Sequence, residues 1–181
     1  MRHQRGVTLL ELVMVISIAS SLYFFAIPGI QTIILKAKII SAVNQMSGLL
    51  QFARFSAINN NINSVVCPTI NLKDCQYNDW TSMIMTFPDK DFDGYRDDDE
   101  DLLRVIQASD DQLIRTGPSR AIRFHSIGDL SSPSSIRICT SKDQQTMSRG
   151  IYLSLQGRVR LSTDANKDGI HENGNQIINC G

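Results

Sequence analysis

Hydrophobic and polar positions split the chain into stretches that follow different rules. Leu9 to Ile27 is an almost unbroken apolar run, opening Leu9-Leu10-Glu11-Leu12-Val13-Met14-Val15-Ile16. From Gln31 to about Asn60 the apolar residues thin to a stripe. Ile34, Ala37, Val43, Met46, Leu50, Ala53 and Ala57 fall at helical spacing, with Lys36, Lys38, Gln45, Gln51 and Arg54 on the other face. The pattern predicts one helix over 7–60, about 80 Å long if unbroken at 1.5 Å per residue. Pro28-Gly29 predicts a kink or local melting within it, because proline removes one ladder bond. Asn59-Asn60-Asn61 is the expected stop. Beyond it the period shortens. Strands are predicted at Ser64–Cys67, Thr81–Phe87, Leu102–Gln107, Ala121–Phe124, Ser135–Cys139, Gly150–Leu155 and Val159–Ser162, separated by Asp93-Gly94, Thr116-Gly117-Pro118 and Ser131-Ser132-Pro133. The expected fold class is α+β: a long N-terminal helix packed on a β-rich head of antiparallel sheets over 61–181. No internal repeat or linker suggests a second domain.

The apolar run has the length of a membrane span. About 20 residues cross a hydrocarbon core of ~30 Å. The segment before it, 1–6, holds Arg2 and Arg5, which would stay on the cytoplasmic side and send the head across the membrane. A secretory signal peptide would end in a small-residue cleavage site, whereas here the pattern continues as helix. The span is therefore placed at about 9–27. Glu11 is the anomaly. A lone carboxylate in hydrocarbon costs roughly 2.5–3.5 kcal/mol on insertion scales, so it needs a purpose.

Arg5-Gly6-Val7-Thr8-Leu9-Leu10-Glu11-Leu12 resembles the leader of prepilins, and the chain is similar to type IV pilin-like proteins. That resemblance implies cleavage after Gly6 by the prepilin peptidase and methylation of the new amino terminus at Val7, where the family usually has Phe. It implies that Glu11 pairs with the terminal amine of a neighbouring subunit during assembly. The implied partners are the peptidase, the inner membrane and other pilin subunits, with the head in the periplasm before assembly into an extracellular pilus.

Composition and charge sharpen the picture of the head. The 181 residues carry 18 basic and 18 acidic side chains, a formal charge of zero that hides an asymmetry. Asp89 to Asp101 holds eight acids and two bases, while Leu102 to Arg160 holds nine bases and four acids. Local clusters govern binding, so a neutral total does not exclude an anionic partner. The cysteines, Cys67, Cys75, Cys139 and Cys180, show no zinc-ligand spacing. In an exported domain they would form disulfides. Of three possible connectivities, Cys67–Cys75, closing a short loop, and Cys139–Cys180, tying down the tail, are favoured.

Arg158 and Arg160 flank Val159 after Gly157, which would make a tight turn. Residues two apart in a strand share a face, so the arginines would project together. Guanidinium groups grip phosphates through charge-assisted bonds, and such contacts give sequence-independent, salt-sensitive binding. Arg149 and Lys142 would extend the patch, and Lys167 is a further possibility. The alternative is a solvated pair, or arginines paired with the acidic run. Val66-Cys67-Pro68, Cys75, Trp80, Phe87 with its Asp-rich turn, Ile138-Cys139, Arg149-Gly150-Ile151 and Gln156-Gly157-Arg158-Val159-Arg160 resemble the FimT/GspH group of minor pilins and pseudopilins. Gly157-Arg158-Val159-Arg160 matches the Gly-Arg-x-Arg motif of FimT proteins from naturally transformable bacteria. This implies a minor pilin that binds DNA during uptake. The competing reading is a structural minor pilin, or a GspH-like pseudopilin of type II secretion, without a DNA role.

The run Asp89 to Glu100 fits the spacing of an EF-hand calcium loop, including Gly94 and the final Glu100, and Asp164 to Gly169 echoes it. The flanks read as strands, and Arg96 stands where an apolar anchor is usual. The run is accordingly read as a charged hairpin turn, with no metal or cofactor assigned. Of the histidines, His3, His125 and His171, none has the partners of a catalytic or metal motif, so no enzymatic activity is expected. Tyr77 and Trp80 are expected to pack beside the Cys67–Cys75 loop.

Overall fold

Helix α1 (Leu9–Asn60) carries the apolar run and the apolar stripe in succession. The structure, a computed structural model, describes residues 6–141, 145–174 and 176–178, without the side chains of 24–28 and 145. Lys142 and Cys180, both expected site residues, therefore lie outside the described residues. Thr8 caps the helix: its Oγ1 accepts the Glu11 N–H at 3.3 Å, and its carbonyl accepts the Leu12 N–H at 3.1 Å. Thr8 and Glu11 have the spacing of a capping box. At the other end Asn61 adopts φ 53°. The Asn61 N–H bonds to Ile58 O and the Ile62 N–H to Ala57 O, which is the Schellman arrangement at the predicted stop. Helical backbone continues through Pro28 and Gly29, so the expected local melting does not occur. One missing donor leaves the neighbouring turns bonded.

The chain divides into two units, Met1–Ala37 and Lys38–Gly181. In the first, every side chain from Val7 to Tyr23 is exposed. In the second, the helix buries Ile39, Val43, Met46, Leu49, Leu50, Ala53 and Ala57. The buried stripe thus begins later than the spacing suggested, because Ile34 and Ala37 are exposed. By length and hydropathy alone, Gly29–Asn60 passes as a membrane span, but 33% of its most apolar window is buried inside the protein. The described apolar stretch that precedes it in the same helix, Leu9–Tyr23, is shorter.

Among the described residues ten strands follow: β1 (Asn63–Thr69), β2 (Met83–Asp89), β3 (Arg104–Ile106), β4 (Leu113–Thr116), β5 (Ile122–Phe124), β6 (Ser134–Thr140), β7 (Arg149–Leu153), β8 (Val159–Leu161), β9 (Glu172–Asn173) and β10 (Gln176–Ile177). They form antiparallel sheets ordered β3-β2-β1-β5, β4-β6-β7-β8 and β10-β9. Strand β1 is buried on both faces. On one face Arg104, aligned with Thr86, stands 5.6 Å over the Phe52 ring of α1. On the other, Val65, Cys67, Met85 and Phe87 are covered by loops that supply Leu72, Cys75, Tyr77 and Leu102. The expected Cys67–Cys75 disulfide closes the first of those loops. Cys139 is disulfide-bonded too, and its expected partner, Cys180, is outside the described residues.

Tyr77 packs beside the disulfide as expected, but Trp80 does not join that cluster. Its ring lies against Gly117, where a Cβ would approach it to 2.5 Å, and its Nε1–H donates to Pro118 O at 2.8 Å. Replacing Cys67 and Cys75 together by serine is expected to lower stability by about 2.5 kcal/mol, the loop-closure entropy for a separation of 8 residues. Denaturant midpoints of the oxidised protein and the variant check this; equal midpoints would show that the loop is held by packing alone.

Candidate nucleic-acid interface

The turn between β7 and β8 is built around Gly157. Its N–H donates to Ser154 O at 2.9 Å, and the Ser154 N–H donates to Arg158 O at 3.1 Å. Gly157 has φ 71°, the left-handed conformation that favours glycine. It is buried. A Cβ there would run into the Gly128 carbonyl oxygen and lie 2.9 Å from Arg54 Nε. Arg54, on α1, explains the closeness: its Nε donates to Gly128 O at 2.9 Å and its Nη2 to Gln156 O at 3.0 Å. One helical arginine thereby fixes the tips of two turns.

Arg158 and Arg160 leave this turn exposed. Among the described residues neither guanidinium has a hydrogen-bond or ion-pair partner. Arg160 pairs with Tyr152, while Val159 pairs with buried Leu153, so Val159 takes the inward face. The two arginines edge a groove of about 650 Å³ whose other wall is Gln51, Arg54, Phe55 and Ile58. Phe55 is 64% exposed and Ile58 49%, so the groove offers an apolar floor beside two cations. Three of the acids are engaged elsewhere. Asp98 pairs with Lys73 at 3.0 Å, Asp99 with Lys90 at 3.2 Å, and buried Asp89 with Arg123 at 3.1 Å. The reading in which the acidic run neutralises Arg158 and Arg160 finds no contact among the described residues.

The structure brings Gly157, Arg158 and Arg160 together but not Arg149. Arg149 pairs with Ile138, and Tyr152 with Arg160, so Arg149 lies on the opposite face of the sheet from Arg160. Its Nη1 donates to Thr146 O at 3.0 Å and Ser148 O at 2.8 Å, and burial pulls its pKa down. Lys167 sits in a left-handed turn of the tail among Asp164, Asn166 and Asp168. The residues the sequence did not single out are Arg54 and Phe55. Nothing in helical spacing tells which turn of α1 meets a hairpin some hundred residues away.

At the N-terminus Gly6 and Val7 precede the helix and are exposed, and Glu11 lies in its first turn. Residues 1–22 match the prokaryotic N-terminal methylation motif. Residues 42–157 match the family described as type II transport protein GspH. The fold is similar to that of the type IV minor pilin FimU of Pseudomonas aeruginosa PAO1. The TM-score is 0.56 with 17% identity, over 70% of this chain and 90% of that one. It is similar as well to the minor pseudopilin EpsH of the Vibrio cholerae type 2 secretion system. There the TM-score is 0.54 with 12% identity, over 71% and 98%. No curated protein sequence matches the chain.

Proposed function

This chain belongs to the GspH family, and on that premise we propose that it is a minor pilin that binds DNA without regard to sequence and supports DNA uptake. The coarser part stands on the matches: a pilin-like protein, minor pilin or pseudopilin, carrying a methylation motif and an apolar N-terminal helix that fit a membrane-anchored subunit. Its family and fold neighbours are structural subunits, not enzymes. In the proposed reading the peptidase cuts after Gly6, the run from Leu9 anchors the subunit in the inner membrane, the head faces the periplasm, and other pilin subunits recruit it into the fibre.

The observation that carries the DNA reading is the pair Arg158 and Arg160, exposed and without a carboxylate partner among the described residues, on a turn pinned by Arg54. Unpaired guanidinium groups beside a groove suit phosphates spaced along a backbone. Among the described residues no recognition helix or zinc finger accompanies them, so affinity would come from the phosphates. Binding of the full chain in detergent to random DNA is expected to weaken steeply as salt rises. Replacing both arginines by glutamine should flatten log affinity against log salt by roughly 1.4–1.8, two contacts at roughly 0.7–0.9 each. Because the side chains are exposed, thermal stability should stay within roughly 0.5 kcal/mol. Unchanged affinity of the double variant at low salt would place the site elsewhere. A wild-type chain that binds no DNA would leave the structural minor-pilin reading.

A further inference from the structure

We infer that the loop Asp89 to Glu100 is a calcium site whose ligands are the Asp89, Asp91, Asp93 and Glu100 carboxylates and the Tyr95 carbonyl. The spacing is Asp-x-Asp-x-Asp-Gly-x5-Glu, in which positions one, three, five, seven and twelve offer oxygen ligands and glycine at six makes the sharp turn. Sequence alone spoke against it on two counts, and the structure answers both. The flanks are indeed strands, β2 ending at Asp89 and β3 beginning at Arg104, but they are neighbours in one sheet, which holds the loop ends as flanking helices would. Arg96, in the anchor position, is half-buried and donates Nη1 to Leu72 O at 3.1 Å. It ties the loop to the disulfide loop, so a polar side chain does the anchoring.

The geometry goes beyond an acidic cluster. Asp89, Asp91 and Asp93 each offer a carboxylate oxygen within 4.8 Å of the others. Asp89 is 0% exposed, and although its Oδ1 accepts the Gly94 N–H at 3.3 Å, its Oδ2 has no hydrogen-bond donor. Arg123 Nε approaches that oxygen to 3.1 Å without hydrogen-bond alignment. Glu100, seven residues beyond the triad and outside the 4.8 Å group, is only 2% exposed. Its oxygens accept the Lys90 N–H at 2.6 Å and the Asp97 N–H at 3.3 Å, and no cationic side chain reaches it among the described residues. Buried carboxylates are normally paired with a cation or coordinate a metal. A ligand set made wholly of oxygen selects a hard cation, and flexible many-oxygen coordination favours calcium over the smaller magnesium. The turn Asp164 to Gly169 shares the opening spacing, with the Gly169 N–H on Asp164 Oδ2 at 3.0 Å. Among the described residues it has no buried carboxylate like Glu100, and the inference does not extend to it.

The test uses the full chain in detergent after removal of metal by chelator. Calcium at about 10 mM is expected to raise Tm by about 5 °C, as for a site in the 10⁻⁴–10⁻³ M range common in extracellular modules. Terbium bound at the same site should show emission sensitised by Tyr95, and calcium should displace it. Asp91 is exposed and its charge repels Asp89, Asp97 and Glu100, so Asp91→Asn should not lower the metal-free Tm while weakening calcium binding about tenfold or more. The Arg158→Gln, Arg160→Gln double variant should bind calcium as the wild type does. No calcium-dependent Tm shift, an equal shift with magnesium, or wild-type calcium affinity in Asp91→Asn would each overturn the assignment.

Discussion

Replacing Gly157 by alanine is expected to destabilise the head by about 3 kcal/mol and to abolish DNA binding although Arg158 and Arg160 remain. Two costs add. A left-handed backbone costs an L-residue roughly 1–2 kcal/mol. A Cβ pressed into the Gly128 carbonyl adds roughly 1–3 kcal/mol, since the obstacle is backbone and yields little. The Cβ would crowd Arg54 Nε as well, so the bond from Arg54 to Gly128 O should be lost with it. Urea denaturation measures the first effect and DNA binding at low salt the second. The contrast with the double arginine variant is the informative part, because that one should lose affinity with its stability intact. An alanine variant as stable as the wild type would mean that the turn relaxes and the pin is dispensable.

The second large effect is expected at Glu11. Two roles coincide there: by its spacing from Thr8, whose Oγ1 accepts the Glu11 N–H, a capping-box position, and, by the assembly role that the prepilin resemblance implies, the counter-charge to a neighbour's terminal amine. Valine removes both, glutamine only the charge, because glutamine serves a capping box as glutamate does. Glu11→Val and Glu11→Gln should therefore both fail to enter pili, with the head folded and the subunit present in the membrane. Immunoblots of sheared pili against membrane fractions check it. Normal incorporation of Glu11→Gln would reduce the role of Glu11 to helix capping.

Much of the fold was legible because local signals and burial agree. Seven predicted strands appear within a few residues of their expected places, and the helix stop at Asn59-Asn60-Asn61 is read off residues that tolerate the left-handed turn. Strand β4 was missed for a physical reason. Its Ile114 faces solvent and its Arg115 is buried, the reverse of the usual alternation. Arg115 is accommodated because its Nη2 donates to Thr81 O, Ser82 O and Gln107 O, and burial pushes its pKa down to about 10. A pattern of polar and apolar letters cannot register three carbonyls supplied from other segments. Strands β9 and β10, two residues each, are too short to show a period.

The candidate site divides along the same line. Arg158 and Arg160 were visible because they lie two apart in the sequence, the spacing that puts strand residues on one face, although only Arg160 belongs to β8. Whether Arg149 joins them depends on sheet register, and the pairing of β6 with β7 turns it to the other side. Arg54 and Phe55 belong to the groove only through tertiary packing, and nothing near them in the sequence marks a ligand surface.

Arg54 has a mechanical consequence. A polyanion held at Arg158 and Arg160 and pulled would load the hairpin tip, and the tip's attachments outside its own sheet include the bond from Arg54 Nη2 to Gln156 O and that from the Leu130 N–H to Leu155 O. Tension would enter the buried half of α1, seated by Met46, Leu49, Leu50 and Ala53, before it could peel β8 from the edge of the sheet. Two strands of three and five residues unzip easily one bond at a time, whereas a helix wedged in a core yields only by dragging many side chains out together. The subunit is thus braced where a towed load would otherwise tear it.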